Sequence, residues 1–120
     1  MSTFEDIKLL VNRFYDKVSK DETIGYIFNE AANVNWDKHL PIMYSFWNSL
    51  LFGKADYKGN PMHKHIELNK SIPLTKEHFS SWIHLWKLTV NENFEGQKAN
   101  EAITKASSIK NIMQAKISQL

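Results

Sequence analysis

Phe4, Ile7, Val11, Phe14 and Val18 recur at spacings of three and four, which places them on one face of a helix running to about Lys20. Ser2 followed three residues later by Glu5 has the form of a capping box and predicts where that helix starts. Asp21 is suited to cap a second, short helical piece over 22–28, and 29–35 then reads as a connecting loop. A third apolar run, Leu40, Met43, Phe46, Trp47, Leu50 and Leu51, stops at Gly53. Pro41 falls near its start, where a missing N–H does least harm, so this helix is expected to begin around Asp37.

Residues 53–61 hold the only strongly loop-like segment, and 62–68 form a piece too short to be stable unless packed on something. Thr75 is placed to cap a helix whose buried stripe reads Phe79, Trp82, Trp86 and Val90. Gly96 interrupts, and a last helix is expected from about Gln97 to Ser118 with Ala99, Ala102, Ala106, Ile109, Met113 and Ile117 along one side. Nothing alternates with the period of a strand, and no repeat or linker divides the chain. The expectation is one all-α domain over residues 1–120.

Composition narrows this further. Four glycines and three prolines supply too few turns for a sandwich or barrel. Fifteen basic residues against thirteen acidic ones give a formal charge of +2, and Arg13 is the only arginine, so the chain lacks a nucleic-acid footprint. The absence of cysteine excludes disulfides, thiolate metal sites and cysteine nucleophiles. No apolar run approaches the ~18 residues of a membrane span, and the first residues do not form a secretory leader. A cytoplasmic, monomeric protein without nucleic-acid or membrane partners is the resulting expectation.

Two features point to chemistry. The helix ending at Gly53 is apolar over more than one stripe, with His39, Met43, Phe46 and Leu50 on a second face. Such a helix is either central in a bundle or packed on a large apolar object. The short piece 62–68 carries two of the five histidines, His63 and His65. Two residues apart on a helix they point in nearly opposite directions, so they cannot share one zinc ion, and no His-Glu-x-x-His motif is present. Metal-assisted hydrolysis through His39, His63 or His65 with Glu67 is therefore disfavoured. Haem needs only one protein ligand, since the porphyrin supplies four. His65, with Met62 and Leu68 three residues away on its own face, fits that role better than His63. The competing reading is a cofactor-free helical module whose aromatic stripes bind partner helices.

Four motifs, in order, resemble a known family. They are Arg13-Phe-Tyr-Asp-Lys-Val18; Trp36-Asp-Lys-His39-Leu-Pro-Ile-Met43 followed by Phe46-Trp47; Tyr57-Lys-Gly-Asn-Pro61-Met-His-Lys-His65-Ile-Glu-Leu68; and Thr75-Lys-Glu-His-Phe79-Ser-Ser-Trp82. Together they are similar to truncated haemoglobins over about residues 4–117. The single glycines Gly25, Gly53, Gly59 and Gly96, in place of the paired glycines of the other groups, match group III.

The resemblance implies a two-over-two helical sandwich around haem b, with His65 as the axial iron ligand. It implies that Tyr15 and Trp82 are hydrogen-bond donors to a ligand on the iron, and that His39 occupies the distal gate. Met43 would limit the space for that ligand. Phe28, Phe46, Trp47 and Phe79 would pack the macrocycle, and Tyr57 and His63 are candidate propionate partners. The implied ligand is dioxygen or a related diatomic such as nitric oxide or carbon monoxide. Reversible binding, nitric oxide dioxygenation and peroxide reduction all remain open, and turnover would need an external reductase. Fold alone does not choose among them.

Overall fold

The computed structural model describes residues 2–27, 36–53 and 74–118, and these contain four helices. They are α1 (Phe4–Lys20), α2 (Trp36–Phe52), α3 (Lys76–Asn93) and α4 (Gln97–Ser118). No strand occurs among the described residues. The sequence-derived bounds of α4 match, and Thr75 is the cap of α3 as expected.

The start of α1 differs by one residue from the expected box. Thr3, not Ser2, is the cap: its hydroxyl accepts from the Asp6 N–H at 3.3 Å, and the Asp6 carboxylate accepts from the Thr3 N–H at 3.2 Å and the Ser2 N–H at 2.8 Å. The sequence spells overlapping boxes, and Asp6 reaches both leading amides where Glu5 stays on the open side. Those hydrogen bonds, led by the one from Ser2, hold the Asp6 carboxyl below its ordinary 3.8.

Asp21 both ends α1 and caps the turn after it. Its N–H donates to Val18 O at 3.1 Å, while its carboxylate accepts from Thr23 and Ile24 N–H at 2.9 and 3.0 Å. Of the short helix expected over 22–28, the described part is a turn at 22–24 followed by helical residues at 25–27. There, a Cβ on Gly25 would meet the Val18 and Ser19 carbonyls at 3.1 Å, so the chain passes closely over the end of α1.

Pro41 sits in the second turn of α2, which begins at Trp36, one residue before the expected Asp37. Its missing N–H therefore leaves the Asp37 carbonyl without its usual intrahelical donor. Gly53 closes α2 with φ +70, and its N–H donates to Ser49 O at 3.1 Å. Gly96, at φ +101, precedes α4 and accepts the Asn100 N–H through its carbonyl at 3.0 Å.

α1 lies antiparallel to α2, since Tyr15 meets Trp36 and His39 while Phe4 meets Tyr44. α1 also packs on α3, α3 on α4, and α2 touches α4, which gives two helical pairs laid one against the other. The core between them is Ile7, Leu10, Val11, Phe14 and Val18 of α1, Trp47 and Leu51 of α2, Ile83, Trp86 and Val90 of α3, and three alanines of α4. Ala99, Ala102 and Ala106 keep the face of α4 low enough to admit the Trp86 indole, which donates to Ala102 O at 3.1 Å.

Polar ties brace this core from outside. Arg13 donates to Asn93 Oδ1 at 2.9 Å, Lys17 pairs with Glu92 at 3.2 Å, and Lys98 donates to Leu51 O at 2.7 Å. Phe4 heads the α1 stripe but is exposed, and Trp82, Ile109 and Ile117 are half-buried.

Candidate functional site

Phe14 and Tyr15 are adjacent on α1, and a helix turns consecutive side chains about 100° apart. Phe14 consequently meets α3 and Tyr15 meets α2. The Tyr15 ring lies 5.1 Å from His39, edge-on at 82°, and 5.4 Å from Trp36. Trp36 and His39, three residues apart on one face of α2, are 5.7 Å from each other. Tyr15 is 8% exposed, and burial pushes its phenol above the ordinary 10. The neutral O–H form is thereby favoured at any physiological pH.

On the other side, the Phe14 ring stands edge-on to Trp82 at 6.0 Å and to Trp86 at 5.0 Å, and it touches Tyr15 at 4.8 Å. Phe14 thus links the Tyr15–His39–Trp36 cluster to the indoles of α3. Trp82 and Trp86, one turn apart, are parallel within 8° at 6.4 Å. Trp47 of α2 stacks on Trp86 at 4.3 Å and 20°, and Phe46 stands edge-on to Trp47 at 5.3 Å.

α2 is the helix richest in apolar residues, yet it fully buries only Trp47, Asn48 and Leu51. Leu40, Met43, Phe46 and Leu50 are half-buried against the core, together with Trp36. Phe79 at the start of α3 is buried. Of the residues singled out in the sequence, Tyr15 and Trp82 lie against Phe14, His39 lies against Tyr15, Met43 lies one turn along α2 from His39, and Trp47 belongs to the core. Phe28, Tyr57, His63 and His65 lie outside the described residues, as do 29–35 and 54–73.

Trp36 and Phe14 belong to the motifs, but the motifs give them no role. Their part in holding Tyr15 was readable only in part: the i, i+3 spacing of Trp36 and His39 signals a shared face, while nothing in the spacing signals that Phe14 bridges two clusters. His78 is occupied structurally. Its Nδ1 accepts the Thr75 N–H at 3.0 Å, which leaves Nε2 as the protonated nitrogen of the neutral ring, 3.2 Å from the Tyr26 hydroxyl. Among the described residues no three His, Asp or Glu side chains converge as a metal would require, and no helix is long and apolar enough to cross a membrane.

The described helices thus form an all-α fold whose most apolar helix stays half-covered beside an aromatic cluster drawn from three helices. The fold is similar to the crystal structure of group III truncated haemoglobin from Campylobacter jejuni, with a TM-score of 0.85 at 29% identity over 98% of this chain and 92% of that one. In sequence, the chain is 33% identical over 108 residues to a group 3 truncated haemoglobin of Campylobacter jejuni subsp. jejuni serotype O:2, covering 88% of this chain and 83% of that protein. The family model for bacterial-like globins matches residues 3–116. The chain belongs to the bacterial-like globin family, in its group III truncated haemoglobin branch.

Proposed function

We propose that this protein binds haem b through His65 and takes up dioxygen or a related diatomic ligand, with Tyr15 and Trp82 as hydrogen-bond donors to it. The observation that carries the reading is that the rings of Tyr15 and Trp82, sixty-seven positions apart in the chain, both lie against Phe14.

The residues present suit the group. Phe14, Tyr15, Trp36, His39, Met43, Phe46 and Trp82 offer aromatic and aliphatic surface with neutral O–H and N–H donors, and no carboxylate or ammonium group is among them. Met43 and Phe46 on the half-covered side of α2 would lie against the macrocycle, backed by Trp47 and Phe79. Phe28, Tyr57 and His63 complete the proposed set, the last two toward the propionates. When bound, the haem supplies an iron with a coordination position open to a diatomic molecule.

Around that position this chain's own groups set the chemistry. Tyr15 remains a donor because burial disfavours its phenolate. The Trp82 indole is donor only, so it favours a ligand carrying partial negative charge. An O–H or N–H donor to such charge in a dry pocket is worth about 1–3 kcal/mol. His39, edge-on to both Tyr15 and Trp36, is positioned to govern entry past Tyr15. The same donors suit nitric oxide dioxygenation or peroxide reduction, given an external electron donor.

The test is an ultraviolet–visible spectrum of the purified protein supplied with haem, ferric and reduced, with and without carbon monoxide. A Soret band that shifts with carbon monoxide and is lost in His65→Ala is expected. A featureless spectrum, with haem washing off, would leave a cofactor-free helical module instead.

A further inference from the structure

Three tryptophans form a continuous stack through the core. Trp82 is its half-buried end, Trp86 is parallel to it at 6.4 Å and 8°, and Trp47 lies on Trp86 at 4.3 Å and 20°. Burial deepens from Trp82 to Trp86, which is wholly inaccessible, and Trp47 keeps 3% exposure on the far side. Packing alone does not call for three parallel indoles, since isolated aromatic pairs settle equally well edge to face. Indole is also among the most easily oxidised side chains.

We propose that the Trp82–Trp86–Trp47 stack carries an oxidising equivalent away from the haem pocket and holds it on the Trp86–Trp47 pair. The proposal rests on the haem reading above and names hydrogen peroxide as the oxidant.

Trp82 gives up one electron toward the oxidised haem site, Trp86 refills Trp82, and Trp47 shares the resulting vacancy with Trp86. Peroxide takes up two electrons and two protons in becoming two waters. One electron comes from the iron, one from the stack, and the protons come from solvent. No bond forms or breaks within the stack.

Two features favour the inward direction. Sharing a positive charge between two closely stacked indoles lowers its energy relative to a single indole of equal exposure, which offsets the desolvation that the burial of Trp86 imposes. The Trp86 N–H is held on the Ala102 carbonyl at 3.1 Å, and that bond strengthens when the indole becomes cationic, without a base to remove the proton. Phe14, in contact with Tyr15 and with both α3 indoles, is itself resistant to one-electron oxidation. By refilling Trp82 from Trp86, the stack restores the ligand-side donor that gave up the electron. A small one-electron reductant such as ascorbate returns the electron at the Trp47 edge.

The experiment treats the haem-loaded protein with limiting peroxide and reads two signals: freeze-quenched electron paramagnetic resonance, and peptide mapping of oxygenated tryptophan. A cyanide-blocked sample gives the background. The expected result is an indole radical with oxygenation on Trp47 and Trp86 above that background. In Trp86→Phe that retains its Soret band, oxygenation of Trp47 falls to background and accumulates on Trp82. Trp47→Phe, which leaves Trp82 and Trp86 in place, loses the shared-pair signal while a radical on Trp86 persists, and it serves if Trp86→Phe fails to fold. Oxidation confined to Trp82 or Tyr15 in the parent, or Trp47 marked equally in Trp86→Phe, overturns the relay with the haem reading intact. A parent protein without a Soret band overturns both.

Discussion

Lys98 of α4 donates its ammonium to the Leu51 carbonyl of α2 at 2.7 Å, and its Nζ lies 5.5 Å from the Phe52 ring. α2 has no basic residue in its own last turn, so the positive charge that its C-terminal carbonyls favour arrives from another helix. Glu101, 3.1 Å from the same Nζ and one turn along α4, holds the side chain in place.

Lys98→Met keeps most of the aliphatic stem and removes the charge and the hydrogen bond. It is expected to lower stability by about 1 kcal/mol in urea denaturation, the usual net worth of such a bond. An equal loss from Glu101→Gln would mean that the ion pair, rather than the bond to Leu51, carries the effect.

At the start of α1, the two candidate capping boxes make opposite forecasts. Thr3→Ala removes the hydroxyl that accepts from Asp6 N–H and should cost about 1 kcal/mol. Ser2→Ala should cost almost nothing, since Ser2 contributes only its backbone N–H. The same site predicts a pH dependence. The Asp6 carboxyl is held below its ordinary 3.8 in the folded protein, so its contribution is present above that value and is lost as pH falls through the lower, folded one. Asp6→Asn should therefore differ from the parent at neutral pH and converge with it in acid, as followed by thermal melts.

Tyr15 governs the alkaline side. Burial raises its phenol above 10, so the folded state keeps a proton that the unfolded chain releases as pH rises past 10. Stability from this group is complete below 10 and falls progressively above it. Tyr15→Phe should flatten that decline in melts between neutral and strongly alkaline pH. If the decline is unchanged, another group causes it.

Ligand release tests the proposed donors directly. Tyr15→Phe and Trp82→Phe should each speed dioxygen dissociation, by about tenfold if the lost hydrogen bond is worth about 1.4 kcal/mol. Stopped-flow displacement by carbon monoxide measures both. Two variants that release dioxygen as slowly as the parent would remove Tyr15 and Trp82 from the pocket.

Ala102 sets how closely α4 approaches Trp86. Ala102→Leu adds volume where the indole already fills the space, and overpacking of this kind costs about 1–3 kcal/mol. Near-ultraviolet circular dichroism should change with it, because Trp86 must shift against Trp47. An unchanged tryptophan signal would show that α4 moves instead.

Much of the fold was readable because it is local. The three-and-four spacing of Ile7, Val11, Phe14 and Val18, the Thr75 cap, the Asp21 cap and the breaks at Gly53 and Gly96 depend on residues within a turn or two of each other. The limits of that legibility are also local. Ser2–Glu5 and Thr3–Asp6 have equal spacing, so only the placement of the Asp6 carboxylate decides between them. Pro41 marks the start of α2 only to within a residue, since the helix begins at Trp36 rather than Asp37.

The sequence by itself determined that the chain is all-helical, where each described helix runs, and which aromatic residues are available, since these depend on periodicity and capping. The ordered motifs also carried the family resemblance. Only the tertiary structure decided which aromatics meet. Phe14 and Tyr15 are neighbours in sequence, yet one contacts α3 and the other α2, and Trp47 finds Trp86 across thirty-nine positions of chain. Long-range contacts of this kind depend on how helices cross and how small Ala102 is, and neither is encoded within any single turn.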